Sequence, residues 1–177
     1  MLLESVKGGC PADWTSVAGG CYQFLPEKLS WNDAKEACED LPGWMVEIES
    51  EEQNDALHDE AVKRKFVGLW IGLSDKAKEG EWVRNSAPGE KASFTLWNSD
   101  SPSNSKHKDK EGENCAALIT TLNTLAGKKP QSWNIPKQWN DKSCKVGTLP
   151  VVCQHKISLT KAAVDGLVCG PGRAVHK

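Results

Sequence analysis

The sequence has little net charge, no long apolar run and no closely spaced pairs of metal-binding residues, and each absence excludes a class of function. The formal net charge of the 177 residues is -2 at pH 7, so no strong positive field predicts a nucleic-acid partner. No apolar run has the length that spans a membrane. No Cys-x-x-Cys pair occurs, and the four histidines have no zinc-site spacing.

The sequence also lacks a recognisable set of catalytic residues. The one close pair of a histidine and an acid is His58-Asp59, which we predict on a polar helix face. No serine or cysteine stands in a context that would activate it as a nucleophile. We therefore expect a binding protein and not an enzyme.

Seven cysteines with wide and uneven spacing are the most informative feature of the composition. This spacing is typical of a disulfide framework formed in an oxidising compartment, so we expect a secreted or extracellular protein. A cytosolic protein with buried free thiols is the lower-ranked alternative. The odd count leaves one cysteine without an intrachain partner.

The chain divides into three predicted parts. We expect a loose leader over residues 1–9, a single domain over residues 10–156 and a C-terminal tail over residues 157–177. Glu4 follows the short apolar start at once, so this stretch is not predicted to be a signal peptide.

Local patterns predict two helices followed by several strands, which is an α+β arrangement. One helix begins after the capping residue Ser30 and stops before Pro42, and the other runs from Ser50 to about Arg64. The hairpin and strand predictions fall at residues 14–24, 44–48, 66–73, 81–84, 115–119 and 149–153. Two long polar stretches, 98–114 and 120–137, connect the later strands, and loops of this length are often functional.

The stretch Trp139-Asn140-Asp141 is the strongest candidate for a functional site. An adjacent amide and carboxylate at the end of a short strand can direct oxygen atoms into one space, and hard cations bind such oxygens. Glu113 supplies another carboxylate two residues before Cys115. If Cys115 and Cys144 are bonded to each other, these oxygens are brought close together.

A series of short segments between Cys10 and Cys153 matches a known family in order and in residue type. The segments are Cys10-Pro11, Cys21-Tyr22, Trp31 to Cys38, Trp70-Ile71-Gly72-Leu73, Gly80-Glu81-Trp82, Trp97, Pro102, Gly112-Glu113-Asn114-Cys115, Trp139-Asn140-Asp141, Cys144 and Cys153. Together they resemble the long form of the C-type lectin-like domain. The resemblance implies two helices flanking two small antiparallel sheets, with a long loop region that carries calcium sites.

The same resemblance implies how the cysteines pair. The implied disulfides are Cys10–Cys21, Cys38–Cys153 and Cys115–Cys144. Cys169 then remains over in the tail, where we predict an interchain bridge that links an oligomer.

In sugar-binding members of this family, five positions hold one calcium ion that also contacts the sugar. Glu113, Asn140 and Asp141 stand at three of them, and Ser101 and Ser103 stand at the two that flank Pro102. Serine is short and uncharged, so we expect a weakened calcium site. The resemblance implies calcium-assisted binding of a glycan or glycoprotein through these five residues. A protein-binding module that has lost calcium-dependent sugar recognition is the alternative, and a matrix or mineral-associated module is a further one.

A second family calcium position aligns with Asp75 and Glu79, to which Glu113 and either Asn114 or Asn104 could add oxygens. The alternative interpretation is a solvated acidic loop. Among the eight tryptophans, the resemblance segments place Trp31, Trp70, Trp82 and Trp139 in the core. Trp133 lies in the polar stretch 120–137 and is the better candidate for stacking on a ligand.

Overall fold

The computed structural model describes residues 9–120 and 135–156. Three predictions fall outside these ranges: the leader over residues 1–9 except for Gly9, the stacking role of Trp133, and the tail that contains Cys169. The α+β class and the family fold that the sequence predicts are both confirmed within the described ranges.

Two helices lie among eight strands in the described residues. In chain order the elements are β1 (Thr15–Val17), β2 (Gly20–Leu29), α1 (Trp31–Glu39), β3 (Gly43–Met45), α2 (Glu51–Lys63), β4 (Gly68–Ser74), β5 (Val83–Arg84), β6 (Cys115–Ile119), β7 (Trp139–Lys142) and β8 (Leu149–His155).

Both helices begin at the serines that the sequence predicts as capping residues. The Ser30 hydroxyl accepts a hydrogen bond from the backbone N–H of Asp33 at 3.2 Å, which satisfies a free donor of the first turn. Ser50 does the same for Gln53 at 3.1 Å. The predicted polar position of His58 is wrong: the side chain is buried, because its Nε2 lies 3.1 Å from the Thr120 carbonyl oxygen of a neighbouring segment.

The strands form one sheet in the order β1-β2-β8-β4-β6-β7, with β3 added to β8 and β5 added to β4. All pairings of these strands are antiparallel except that of β4 with β8, which is parallel and contains the register pair Trp70 and Val151. This pairing corrects one detail of the expected fold. The two antiparallel halves are not separate sheets, because the β4–β8 pair joins them into one mixed sheet.

The tryptophans predicted as core residues are buried, and three of them connect distant elements. The indole N–H of Trp70 on β4 donates to the backbone carbonyl of Leu29 on β2 at 2.8 Å. The indole N–H of Trp139 donates to the side-chain oxygen of Asn54 on α2 at 2.8 Å. That of Trp31 donates to the backbone carbonyl of Ile71 on β4 at 3.0 Å. Buried indole groups need such partners, so these bonds fix the position of each ring. The confirmed core tryptophans are Trp31, Trp70, Trp82 and Trp139.

All three disulfides implied by the resemblance are present. Their Cα–Cα distances are 5.4 Å for Cys10–Cys21, 5.2 Å for Cys38–Cys153 and 5.2 Å for Cys115–Cys144. The first closes the β1–β2 hairpin, and the second ties α1 to β8. The third joins the start of β6 to the residues that follow β7, which holds the two ends of the candidate site together.

Candidate functional site

The long loop that precedes β6 folds back onto the start of β7. The backbone N–H of Trp139 donates to the Leu96 carbonyl at 2.8 Å, and that of Asn98 donates to the Trp139 carbonyl at 2.9 Å. The buried Trp139 ring anchors this junction in the core. The buried Trp139 therefore positions the candidate site, because it fixes the backbone from which the Asn140 and Asp141 side chains extend.

Asp141 holds the loop in place. Its side chain is 0% exposed, and its Oδ2 accepts hydrogen bonds from the backbone N–H groups of Ser103 and Asn104, both at 2.6 Å. A buried carboxylate needs such donors. Its other oxygen, Oδ1, has no hydrogen-bond partner among the described residues. Asp141 thus positions the loop with one oxygen and leaves the other unsatisfied.

The structure brings the five residues of the predicted sugar site together. Ser101 precedes Pro102 through a cis peptide bond, and its hydroxyl donates to the side-chain oxygen of Asn140. The Ser103 hydroxyl donates to Glu113 Oε2 at 3.2 Å. Two oxygen atoms that would bind a cation, one on Asn140 and one on Glu113, therefore already accept hydrogen bonds from serine hydroxyls.

Glu113 lies in an unfavourable electrostatic position. Burial raises the pKa of its carboxyl group, and the negative charge of Asp141 raises it further, while the Ser103 hydroxyl and Lys142 act in the opposite direction. The ionised carboxylates of Glu113 and Asp141 therefore repel each other. A cation placed between them would relieve this repulsion.

The second predicted calcium position lies next to the first. Asp75 is 2% exposed, its Oδ2 accepts from the Gly80 N–H at 2.9 Å, and its Oδ1 has no partner among the described residues. Burial is the largest cause that raises the pKa of Asp75, and the charges of Glu79 and Asp141 also raise it. The buried carboxylates of Asp75 and Asp141 each have an unsatisfied oxygen, and the charge of Asp141 at the first position raises the pKa of Asp75 at the second.

Asn104 connects the two positions. Its side-chain N–H₂ group donates to Glu79, and its side-chain oxygen accepts from the Glu113 N–H at 3.2 Å. Asn114 contacts the second position through its backbone, and its part as a calcium ligand stays a prediction. Its backbone carbonyl accepts from the Asp75 N–H at 3.2 Å, while its side-chain amide donates to the Glu111 carbonyl at 3.0 Å.

The residues of both positions have the chemical type that binds a hard cation, although most of their oxygen atoms now form hydrogen bonds within the site. Carboxylate, amide and carbonyl oxygens are calcium ligands, and no thiolate or imidazole joins them. Within residues 9–120 and 135–156, no three side chains of His, Cys, Asp or Glu are grouped to hold a metal ion. The unsatisfied oxygens of Asp75 and Asp141 nevertheless favour a cation, because buried polar atoms without partners are costly.

Lys142 is a residue of this site that the sequence prediction missed. It follows Asp141 directly and lines a cavity of about 120 Å³ together with Glu113 and Lys108. Burial lowers the pKa of its ammonium group, and the charge of Glu113 opposes this shift. Lys142 pairs with Cys115 in the β6–β7 register, and Glu113 stands two residues before Cys115, so Lys142 and Glu113 are diagonal neighbours. This relation becomes visible only once the strand register is known.

The fold and the oxygen-rich loop together define a small disulfide-bonded recognition domain. The chain belongs to the C-type lectin family, since the family model of the Lectin C-type domain matches residues 27–155. This is a family of lectins. None of the helices in the described ranges is long and apolar enough to cross a membrane.

Individual relatives agree with this assignment. A perlucin-like protein of Mytilus galloprovincialis is 28% identical over 149 residues, which cover 81% of each chain. The carbohydrate-recognition domain of the mouse scavenger receptor C-type lectin has a TM-score of 0.65 and 31% identity, and the match covers 82% of this chain and 97% of that one. The C-type carbohydrate-recognition domain of cow CD23, solved in the presence of a GlcNAc2Man3 oligosaccharide, has a TM-score of 0.62 and 28% identity, with coverages of 82% and 95%.

Other relatives are longer than this chain. It spans between 10% and 62% of the length of six further lectin-related proteins. The similarity therefore concerns the recognition domain and not the additional regions of those proteins.

Proposed function

We propose that the chain is a secreted carbohydrate-binding lectin, which contacts saccharide hydroxyls through the loop 98–114 and the start of β7, with the assistance of calcium. The observation that carries this proposal is the meeting of five polar side chains where the loop 98–114 contacts the start of β7. They are Ser101, Ser103, Glu113, Asn140 and Asp141.

These groups have the chemistry that a sugar requires. Carboxylate oxygens accept hydrogen bonds from hydroxyl groups, an asparagine amide both donates and accepts, and serine hydroxyls can reorient to do either. Ser101 and Ser103 now donate within the site, to Asn140 and Glu113. A saccharide would exchange these internal hydrogen bonds for bonds to its own hydroxyls.

Calcium would supply positive charge and open coordination positions for hydroxyl oxygens. The residues that would hold it are Glu113, Asn140 and Asp141 at one position and Asp75, Glu79 and Asn114 at the other. The unsatisfied carboxylate oxygens of Asp75 and Asp141 support this assignment. At the first position two backbone N–H groups and two serine hydroxyls occupy the remaining oxygens, so the serine hydroxyls must turn away when an ion binds.

The extracellular location is part of the proposal and is supported by the three disulfides. We also expect no catalytic activity, in agreement with the family. The oligosaccharide present with the cow CD23 domain makes a glycan the first ligand class to test.

The test combines calcium calorimetry with a glycan array that is read with and without a chelator. We expect binding to at least one glycan and a loss of that binding on chelation. Asp141→Asn should abolish it, whereas Asp40→Asn, which removes an exposed carboxylate at the end of α1, should leave it unchanged. Glycan binding that survives chelation would contradict the part assigned to calcium.

The protein-binding alternative has one specific observation in its favour. The serine hydroxyls satisfy the ligand oxygens from within, so the site can be stable without any ion. A folded protein that binds neither calcium nor any glycan on the array would support this alternative and contradict the proposed function.

A further inference from the structure

A larger cavity lies beside the candidate saccharide site. Its volume is about 370 Å³, which is in the range of small-ligand pockets. The first turn of α1, the turn after β4 and the end of the long loop surround it. Its polar lining includes Asn32, Lys76, Asp109, Glu111 and Lys145.

Lys76 is held in the cavity by contacts that leave its charge uncompensated. Its ammonium group lies 4.3 Å from the ring centroid of the buried Trp31 and donates a hydrogen bond to the side-chain oxygen of Asn32. Within the described ranges no carboxylate forms an ion pair with it, whereas Lys35 pairs with Glu39 at 2.6 Å. Lys76 is therefore an exposed cation that rests against an aromatic ring and has no carboxylate partner in an ion pair within the described ranges.

The acidic residues of the same cavity already have partners. Lys145 forms an ion pair with Glu111, and Asp109 accepts from the Ser143 hydroxyl at 2.6 Å and from the Glu111 N–H at 3.0 Å. The like charges of Lys35 and Lys145 each act on Lys76 more strongly than the opposite charge of Glu111 does. At Lys76 these two positive charges therefore outweigh the charge of Glu111, although the carboxylates of Asp109 and Glu111 both line the cavity.

Two neutral features add to this field. Asn32 lines the cavity and uses its side-chain oxygen to accept from Lys76, so its N–H₂ group is available as a donor. Asn32 also belongs to the first turn of α1, where the helix dipole adds a partial positive charge. The Lys76 ammonium, the Asn32 amide and the Lys145 ammonium, which an oxyanion would share with Glu111, are donors of the kind that an oxyanion requires.

We propose that this cavity binds a tetrahedral oxyanion, namely a sulfate or phosphate ester group, through Lys76, Asn32 and Lys145. The cavity is larger than one such ion, so it has room for part of the molecule that carries the group. Asp109 lines both this cavity and the smaller one at Glu113. If the proposed function holds, an acidic saccharide at the lectin site would extend its anionic substituent to Lys76.

The first experiment needs no glycan. Sodium sulfate and sodium phosphate are titrated at constant ionic strength, with chloride as the reference, while NMR follows the side-chain amide of Asn32. We expect a saturable shift with at least one of the two anions, and the ratio of their affinities identifies the preferred ester. Lys76→Gln should weaken binding about tenfold, because it removes a charge-assisted contact.

Matched variants separate a specific site from general charge. Lys76→Arg keeps the charge over Trp31 and should retain binding. Lys63→Gln removes an exposed ammonium on α2 and should leave binding unchanged. Lys145→Gln provides a second, independent loss if Lys76→Gln unfolds. An absent or unsaturable shift, or equal losses in Lys76→Gln and Lys63→Gln, would overturn the proposal.

A second experiment compares sulfated, phosphorylated and unmodified forms of one monosaccharide. Tighter binding of an esterified form, lost in Lys76→Gln, would connect the cavity to the lectin site. Anion binding at Lys76 without any saccharide binding would contradict the proposed function and leave the oxyanion site established. Saccharide binding without anion binding would support the proposed function and overturn the oxyanion site.

Discussion

Glu113 and Asp75 are each placed near another negative charge, and this decides how the site responds to pH. Burial is the largest cause that raises the pKa of both carboxyl groups, and neighbouring carboxylates add to it. In the unfolded chain these groups would titrate near their ordinary values of 4.5 and 3.8. At these two groups the metal-free fold therefore binds more protons than the unfolded chain in the interval above those values. Their contribution to the free energy of unfolding increases as the pH falls through the raised pKa values and levels off below the ordinary ones.

Calcium affinity should change in the opposite direction over the same interval. The ion binds ionised carboxylates, so protons compete with it, by at most about tenfold per pH unit for each proton released. We expect the dissociation constant to increase as the pH falls, beginning at a higher pH than it would for carboxylates with ordinary pKa values. Calorimetry across this range measures the effect.

Glu113→Gln should flatten this pH dependence, because it removes one of the two raised groups. Glu27→Gln, which changes an exposed glutamate on β2, is the control and should leave the slope unchanged. An affinity that declines only where ordinary carboxylates titrate would contradict the assignment of Glu113 and Asp75 as ligands.

At the scale of elements, the loop 98–114 owes its shape to Asn104 and Gly112. Gly112 has a φ of +92°, and a Cβ atom at this position would lie 1.8 Å from the side-chain oxygen of Asn104. That oxygen accepts from Glu113, and the amide of Asn104 donates to Glu79, so the side chain has no free direction in which to move. Glycine is therefore required at position 112 for two separate reasons.

Gly112→Ala and Gly89→Ala together separate backbone strain from this clash. Gly89 has a similar φ of +88°, but a Cβ atom added there would meet nothing within 4 Å. We expect Gly89→Ala to lower the free energy of unfolding by about 1 kcal/mol. Gly112→Ala should lower it by about 3 kcal/mol, since overpacking adds about 1–3 kcal/mol. Urea unfolding measures both, and equal losses would show that Asn104 moves freely.

Local patterns predicted those elements whose signals lie within a few residues of one another. The caps at Ser30 and Ser50 and the buried strand β6 were predicted at the positions where they occur. The internal hydrogen bonds of the site were not predicted, because Ser103 and Asp141 are 38 residues apart in sequence. The burial of His58 was missed for the same reason, since its partner Thr120 lies in another element.

The resemblance, not the local pattern, brought the site residues together in the prediction. Asn140 and Asp141 read alone indicate only two adjacent oxygens at the end of a strand. Their position relative to Glu113 depends on the pairing of β6 with β7 and on the Cys115–Cys144 disulfide. The contact of Lys76 with Trp31 depends equally on tertiary packing, so the larger cavity could not be predicted from the sequence.

At the scale of the whole molecule, the disulfides differ in how much chain they restrain. Cys38 and Cys153 are 115 residues apart and join α1 to β8, whereas Cys10 and Cys21 are 11 residues apart within one hairpin. A cross-link stabilises mainly by limiting the unfolded chain, and the effect increases with the logarithm of the loop length. The long-range pair is also wholly buried, so its loss disturbs the core as well.

Removal of the two bridges should therefore have unequal effects. The loop-entropy relation gives a loss of about 5 kcal/mol for Cys38→Ala with Cys153→Ala, and of about 3 kcal/mol for Cys10→Ala with Cys21→Ala. Because a domain of this size has a total stability of about 5–15 kcal/mol, we expect the first variant to be marginally folded and the second to remain cooperative. Urea unfolding followed by tryptophan fluorescence measures both. Equal losses would show that residual structure in the unfolded chain, and not loop length, sets the contribution of each bridge.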